Sequence, residues 1–348
     1  MQHAQLTKTL DTSVEEHAFS GVISIRRRGT VLYERAAGYA DRSHKIENTL
    51  ETRFGIASGT KFFTALAIAK LVEAGKLSFS TRLKDCIALG FPRYSQAITI
   101  RHLLTHTSGI PDYYDEEKIV DFDNFALSIP WYALKGPRDY LAAFPDEAMK
   151  FAPGERFSYS NGGYILLGVV IEELTGLKYQ DFVEQTIFKA IGMNQSGFFA
   201  LNRLPEKTAV GYVEEAEGWR TNVFDLPVVG ASDGGAFTTV QDLATLWNAF
   251  WGCEILPKEL VDLYAKPYVK AETEGEHTYY GHGLWIREDE GRNREEYITG
   301  CDAGVSFKSS VNRAKGLQVT VISNTTDGAW PLLRDIDTAL KAENARSW

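Results

Sequence analysis

The chain has 348 residues, a length that predicts one large two-lobed unit or two domains. Its composition, 44% hydrophobic and 24% charged, is that of a globular protein and excludes disordered, collagen-like and disulfide-scaffold classes. The 46 acidic and 37 basic residues give a formal net charge of −9, which argues against nucleic acid or an anionic membrane surface as a partner. We therefore expect a small-molecule or peptide-like substrate.

Cysteines and apolar runs indicate the compartment. The three cysteines, Cys86, Cys253 and Cys301, are too few and too scattered for a disulfide framework or a paired-cysteine zinc site. The first residues lead into an acidic stretch without the apolar core of a signal peptide, and no apolar run reaches the about 18 residues of a spanning helix. These features predict a cytoplasmic protein without a membrane span, and they leave its oligomeric state open.

The elements in chain order begin with an amphipathic helix over residues 4–18 and a hairpin of two strands, 21–26 and 30–35. Apolar residues at helical spacing then predict a helix from Thr60 to Ala74, which Gly75 closes. Helical patterns continue to about residue 255, over residues 101–104, 163–174, 179–188 and 240–251, the last with Thr239 as N-cap.

Beyond about residue 280 the pattern returns to alternation, and it predicts antiparallel strands and a closing helix over residues 283–287, 296–299, 305–311, 317–323 and 331–342. The fold class is therefore α/β (α+β), an antiparallel sheet from both chain ends flanked by helices, with an inserted, mostly helical lobe. We expect a single domain over residues 1–348, with a sheet lobe of 1–57 and 275–348 and a helical lobe of 58–274. The acidic, aromatic-rich segment 112–155 is either a functional lid or a poorly packed surface excursion.

Two serines are candidate nucleophiles. Ser232 lies in a G-x-S-x-G pattern, but the strand and helix that should flank such a serine are missing, so the pattern is disfavoured. Ser58 precedes Lys61 by three residues where a helix begins, so the two side chains share one face. A lysine desolvated there would have a depressed pKa and could accept a proton from the serine. The alternative is an N-capping serine followed by a solvated lysine.

Two further segments contain residues that could take part in catalysis or ligand binding. Tyr159 and Asn161 precede a helix, where the tyrosine could shuttle a proton and the amide could both donate and accept hydrogen bonds. Taken alone, the triplet Tyr159-Ser160-Asn161 favours a buried tyrosine with Asn161 as helix N-cap. The third segment, residues 298–306, is a strand interrupted by glycines, a pattern typical of close backbone approach to a ligand.

Together these segments resemble the serine β-lactamase and penicillin-binding-protein superfamily. They resemble in particular its class C β-lactamase-like branch, which also holds D-alanyl-D-alanine carboxypeptidases, D-aminopeptidases and family VIII carboxylesterases. The likeness runs in family order over roughly residues 18–340, through segments 52–61, 103–111, 151–161 and 234–243. The resemblance implies a β-lactamase-like fold and a serine hydrolase that acts on an ester, amide or β-lactam bond without a metal or organic cofactor.

Site residues follow from the resemblance position by position. It implies that Ser58 is the acylated nucleophile, that Lys61 activates it, and that Tyr159 is the general base and acid. Asn161 would orient Lys61 and the substrate amide. Whether the lysine or the tyrosine takes the first proton stays open.

The resemblance also implies an oxyanion hole formed by the backbone N–H groups of Ser58 and Cys301, beside the substrate-binding residues Ile298, Thr299 and Gly300. Members of the superfamily usually have lysine or histidine where this chain has Ile298. Without that cation, binding of a substrate carboxylate loses a charge-assisted hydrogen bond, on the order of 1–3 kcal/mol. Efficient β-lactam hydrolysis is therefore not expected, whereas hydrolysis of esters or neutral amides remains open.

Two interpretations of the missing cation at position 298 stay open. Lys308 or Arg287 could supply a positive charge from elsewhere, or the protein could be a catalytically weak or inactive penicillin-binding or scaffold protein of the same fold.

Four other residues could suggest a different chemistry. His102 and His106 have the spacing of two zinc ligands on a helix, but the pattern lacks the glutamate of a zinc protease, and a structural role is favoured. Cys301 has no adjacent histidine, so its thiol is interpreted as a bystander. His282 is expected at a strand edge near the cleft.

Overall fold

The computed structural model describes residues 2–88, 93–119, 121, 124–271, 277–289 and 293–345. Its helices are α1 Gln2–Glu16, α2 Thr60–Glu73, α3 Leu83–Cys86, α4 Ile100–Leu104, α5 Asn161–Thr175, α6 Tyr179–Val183, α7 Lys189–Ile191, α8 Val240–Trp251, α9 Lys258–Tyr264 and α10 Ala329–Ala345. Its strands are β1 Gly21–Arg27, β2 Thr30–Ala37, β3 Tyr39–Asp41, β4 Ile46–Glu47, β5 Phe54–Gly55, β6 Tyr212–Glu215, β7 Gly218–Thr221, β8 Phe237–Thr238, β9 Val269–Lys270, β10 Thr278–Tyr280, β11 Trp285–Asp289, β12 Asn293–Asp302, β13 Val305–Asn312 and β14 Leu317–Ser323.

One large antiparallel sheet contains strands from both ends of the chain, in the order β2-β1-β14-β13-β12-β11-β10-β9. The two ends meet where β1 pairs with β14, from Gly21 opposite Ser323 to Arg27 opposite Leu317. This sheet confirms the predicted fold class. β9 joins the sheet ahead of residue 275, where the sheet lobe was expected to resume.

Helix α2 lies at the centre of the main core, between the sheet and the other helices. Every residue from Thr60 to Ala69 is buried, so this helix is buried on all sides rather than on one face. It packs with helices α5 and α8 and with the inner face of the sheet. A buried Leu or Phe side chain stabilises the fold by about 1.5–3 kcal/mol, so this packing holds the first turn of α2 rigidly.

Helices α1 and α10 cover the opposite face of the sheet. Leu10 and Val14 of α1 and Ile336 of α10 form a second core with Ile23 and Val321 of the central strands. The first and last helices, α1 and α10, are thereby packed onto the sheet. Within the described part of the chain, no helix is both long and apolar enough to cross a membrane.

Local capping agrees with the sequence at several helix ends. The Thr239 side chain accepts a hydrogen bond from the Asp242 backbone at the start of α8. Helix α5 ends at Gly176 in the left-handed conformation, and Gly75 has a φ of 66° just beyond α2. The predicted single helix 179–188 is instead interrupted, because a π-helical turn at Glu184–Phe188 separates α6 from α7.

Candidate active site

Ser58 lies in a 3₁₀ turn, Ala57–Gly59, that leads from β5 directly into α2. Gly59 occupies the N-cap position, so the interpretation of Ser58 as an N-capping side chain is wrong. The turn is strained, because Ala57 has a φ of 46°. Thr60 fixes it by donating from Oγ1 to the Ala57 carbonyl at 2.7 Å and accepting from the Ala236 backbone at 2.9 Å.

Lys61 is the centre of the polar site. Its side chain is only 1% exposed, and its Nζ lies 2.9 Å from Ser58 Oγ, 2.6 Å from Asn161 Oδ1 and 2.7 Å from the Asp233 carbonyl oxygen. Burial lowers the pKa of Lys61, although the nearby carboxylates of Asp233 and Glu116 oppose that shift. The alternative of a solvated lysine is therefore wrong, and the amine is desolvated beside the serine.

Tyr159 lies against Lys61 and Ser58. Lys61 Nζ is 4.9 Å from the centre of the Tyr159 ring, and the phenol lies near the Ser58 side chain. The ring packs between His106 and Trp285, at centroid distances of 4.3 and 5.9 Å. Burial, together with the Glu116 carboxylate, raises the pKa of Tyr159 well above its usual range, so the phenol keeps its proton at neutral pH.

Asn161 is the first residue of α5, and the N-cap is its neighbour Ser160, whose Oγ accepts from the Gly163 backbone at 3.0 Å. The interpretation of Asn161 as a capping residue is therefore wrong. Its Nδ2 donates instead to the Tyr114 carbonyl at 3.1 Å and to Glu116 Oε1 at 2.8 Å. These two bonds fix the amide so that Oδ1 faces Lys61.

The third segment lies on β12, next to the turn that holds Ser58. A Cβ added to Gly300 would lie 2.6 Å from the Ser58 backbone nitrogen and 2.4 Å from the Ile56 carbonyl oxygen, so only glycine fits this close approach. The neighbouring Thr299 donates from Oγ1 to the Phe307 carbonyl at 2.8 Å. Cys301 is exposed, and its thiol lies 3.5 Å from the Thr326 carbonyl oxygen.

Ile298 is 2% exposed and packs into the main core. The two cations considered as substitutes are occupied elsewhere, because Arg287 pairs with Glu295 at 2.7 Å and Lys308 contacts the same carboxylate at 3.4 Å. Lys308 also lies over the ring of Tyr297, 4.2 Å from its centre. Neither cation is among the residues that line the cleft at Ser58.

Ser232, the alternative nucleophile, is fully buried. Its Oγ has no hydrogen-bond partner among the described residues, and its carbonyl accepts from Thr64 Oγ1 at 2.5 Å. A Cβ on Gly168 would lie 2.2 Å from that Oγ, so α5 seals this serine from the cleft.

The histidines have structural contacts. His102 caps α4, where its Nδ1 accepts from the Thr99 backbone at 3.2 Å, and His106 accepts at Nδ1 from the Ser160 backbone at 2.9 Å. The expectation that His282 lies at a strand edge near the cleft is wrong. It is fully buried between the rings of Phe79 and Tyr264, because the turn before β11 folds into the core.

Sequence reasoning missed the acidic and aromatic residues of the cleft. Asp233, Glu116 and Asp302 line it together with Ser58, yet no spacing in the sequence connects them. The segment 112–155 supplies much of the remaining wall through its aromatic side chains, namely Tyr113, Tyr114, Phe125, Trp131 and Tyr140. The description of that segment as a poorly packed excursion is therefore wrong.

The fold and this site agree with a comparison against known protein families. The family model described as Beta-lactamase matches residues 6–344. The chain belongs to the Beta-lactamase family. That family is one of serine hydrolases, so the chain belongs to a serine hydrolase family.

Individual relatives support the same assignment. A penicillin-binding protein from Bacillus halodurans has a similar solved structure, with a TM-score of 0.89, 42% identity, and coverage of 94% of this chain and 99% of that one. The putative penicillin-binding protein PbpX of Bacillus subtilis is 29% identical over 91% of this chain and 73% of its own length. A second Bacillus subtilis penicillin-binding protein is 35% identical over 60% of this chain, but the match spans only 45% of that relative.

Proposed function

We propose that this protein is a serine hydrolase in which Ser58 forms an acyl-enzyme on an ester or amide bond. The observation that carries the proposal is the buried Lys61 amine, 2.9 Å from Ser58 Oγ. A nucleophilic hydroxyl needs a base within hydrogen-bond reach whose pKa is near the working pH. Burial moves the pKa of this lysine down toward that range.

The hydrogen bonds around Lys61 support the neutral amine as the base. A neutral amine has two N–H donors and one lone pair. The two donors match Asn161 Oδ1 at 2.6 Å and the Asp233 carbonyl at 2.7 Å, which leaves the lone pair for the Ser58 hydroxyl proton. We infer that Lys61 takes the first proton, because the raised pKa of Tyr159 keeps that phenol protonated.

Tyr159 then acts as the acid. Its phenol lies near the Ser58 side chain, beside the atom that is acylated, and from there it donates its proton to the leaving group. Water takes the place of the leaving group in the second half of the reaction, and the same groups act in reverse to release the acid and restore Ser58.

The developing oxyanion is assigned to the backbone N–H groups of Ser58 and Cys301. The close approach of Gly300 to the Ser58 nitrogen supports this assignment, because it brings the end of β12 against the nucleophile turn. Loss of one such donor typically lowers kcat by about 10²–10³-fold.

Relatives named as penicillin-binding proteins make β-lactam acylation a candidate reaction. Ile298 argues against its efficiency, because an apolar, buried side chain cannot bind the carboxylate of a β-lactam. We therefore favour esters and amides that lack a carboxylate next to the leaving group.

A fluorophosphonate probe tests the proposal, with the adduct located by mass spectrometry of peptides. We expect one adduct, on Ser58, no adduct in Ser58→Ala, and unchanged labelling in Ser232→Ala. An adduct on Ser232, or retained labelling in Ser58→Ala, would contradict the assignment. No adduct together with no turnover of a chromogenic ester would favour the inactive scaffold protein.

A further inference from the structure

His106 holds the backbone on both sides of Tyr159. Its carbonyl oxygen accepts a hydrogen bond from the Ser158 backbone at 2.9 Å, and its Nδ1 accepts one from the Ser160 backbone at 2.9 Å. The imidazole also packs on the Tyr159 ring, with a centroid distance of 4.3 Å and an interplanar angle of 32°. Because the two donors flank Tyr159 in the chain, one residue fixes the backbone that carries the phenol.

The bond from Ser160 determines which nitrogen of the imidazole carries the proton. A backbone N–H can only donate, so Nδ1 presents its lone pair and the proton of the neutral ring is on Nε2. Burial lowers the pKa of His106 well below its usual range, so the ring stays neutral and Nδ1 stays an acceptor.

Two features of His106 are unfavourable in themselves. It has a φ of 55° just after α4, a left-handed position at which glycine or asparagine is usual. It is also fully buried, and its Nε2 has no hydrogen-bond partner among the described residues. Asparagine would suit the backbone and phenylalanine would suit the apolar surroundings, but histidine combines a flat ring against Tyr159 with an acceptor for the Ser160 N–H.

The surroundings of His106 exclude a direct part in proton transfer to the substrate. Its ring is enclosed by four aromatic rings at centroid distances of 4.3 to 5.8 Å, those of Tyr159, Tyr280, Tyr164 and Phe157. A side chain that is fully buried among these rings can affect the reaction only through the groups that it holds.

We propose that His106 is the positioning residue of the general acid, because its carbonyl oxygen and Nδ1 hold the backbone around Tyr159 so that the phenol reaches the leaving group. This inference rests on the proposed function, in which the phenol gives its proton to the leaving atom as the bond from that atom to the acyl carbon breaks. It adds a residue that lies behind the acid and acts through it alone.

Two esters of 3-phenylpropionate, the p-nitrophenyl ester and the ethyl ester, separate the acid step from the rest of the reaction. They share one acyl group, so both form the same acyl-enzyme. p-Nitrophenolate leaves readily as an anion, whereas ethoxide has to be protonated as it leaves, so the ethyl ester depends far more on a well-placed acid. We measure the ratio of kcat/KM for the ethyl ester to that for the p-nitrophenyl ester, which does not depend on the fraction of active enzyme.

The variant His106→Phe keeps a ring of similar size and removes the acceptor. It should lower the ratio by about tenfold to a hundredfold, because a small displacement of a general acid loses much of its effect of about 10²–10⁴-fold. His106→Asn retains an acceptor near the position of Nδ1 and tolerates the left-handed backbone, and its ratio should stay within about threefold of wild type. Should His106→Phe not fold, the smaller His106→Ala, which also lacks the acceptor, carries the same expectation.

Two controls separate positioning from general packing. His102→Phe makes the same change at an Nδ1 that accepts from the Thr99 backbone at the start of the same helix, and its ratio should equal that of wild type. Tyr159→Phe should lower the ratio at least as much as His106→Phe. Adding His106→Phe to Tyr159→Phe should cause no further drop in the ratio, because both changes remove the same proton donation.

The outcomes distinguish the inference from the proposed function. An unchanged ratio in His106→Phe, or a ratio in His106→Asn as low as that in His106→Phe, overturns the inference while fluorophosphonate labelling of Ser58 still supports the hydrolase. An equal drop in His102→Phe, or a further drop in the double variant, also overturns the inference, because a general loss of packing would then explain the effect. Failure of wild-type Ser58 to be labelled overturns the proposed function itself.

Discussion

The replacement Lys61→Met tests the proposed base directly. Methionine keeps an unbranched apolar stem of similar length within α2 but has neither a donor nor a basic lone pair. The buried acceptors Asn161 Oδ1 and the Asp233 carbonyl lose their shared donor, and Ser58 Oγ loses the amine at 2.9 Å.

The magnitude follows from these contacts. Loss of a general base costs about 10²–10⁴-fold in rate. Each acceptor left without a donor costs about 1–3 kcal/mol, partly offset because a buried amine is no longer desolvated. We therefore expect kcat for a neutral ester to fall by at least about 10²-fold, with a free energy of unfolding that changes by only a few kcal/mol.

Steady-state hydrolysis of p-nitrophenyl 3-phenylpropionate measures the loss, and urea unfolding measures the stability. The double variant with Ser58→Ala should be no slower than Ser58→Ala alone, because groups that act as a unit are not additive. A folded Lys61→Met protein that keeps more than about a tenth of wild-type kcat would refute the assignment of Lys61 as the base.

Three further predictions concern the cleft and its walls. Ile298→Lys should speed acylation by a chromogenic cephalosporin, because it supplies a cation for the substrate carboxylate. It should also lower the melting temperature, because the cation would stand at a position that is 2% exposed. No gain in acylation rate would mean that another group decides carboxylate binding. Gly300→Ala should abolish fluorophosphonate labelling, since its Cβ would lie 2.6 Å from the nitrogen of the nucleophile, whereas Gly55→Ala, which meets a valine methyl group at 3.5 Å, should label normally. Gly168→Ala should destabilise the fold by about 1–3 kcal/mol through overpacking against Ser232, and Ser232→Ala in that background should recover part of the loss in urea unfolding.

The proposed catalytic pair, Ser58 and Lys61, could be predicted from local sequence. Ser58 and Lys61 are three residues apart where a helix begins, and helical geometry alone puts both side chains on one face. The antiparallel sheet from both chain ends could also be predicted, because the hairpin signal in residues 21–35 and the alternation beyond about residue 280 are local patterns. The glycine at 300 signalled a close approach, although the sequence did not name what approaches it.

Burial and partners at long range could not be predicted. Lys61 is desolvated because its amine meets Asn161, 100 residues away, and the Asp233 carbonyl, 172 residues away. The same packing raises the pKa of Tyr159 and thereby favours the lysine as first base.

The acidity of the cleft is also a property of the tertiary structure. A carboxylate in the sequence gives no sign of whether a donor will meet it, and only the folded chain provides Glu116 and Asp233 with hydrogen bonds in the wall of the cleft. Sequence by itself determined the family, the segment of the proposed nucleophile Ser58 and the apolar residue Ile298 where a cation is usual. The tertiary structure decided which charges line the cleft at Ser58, because that depends on contacts between residues far apart in the chain.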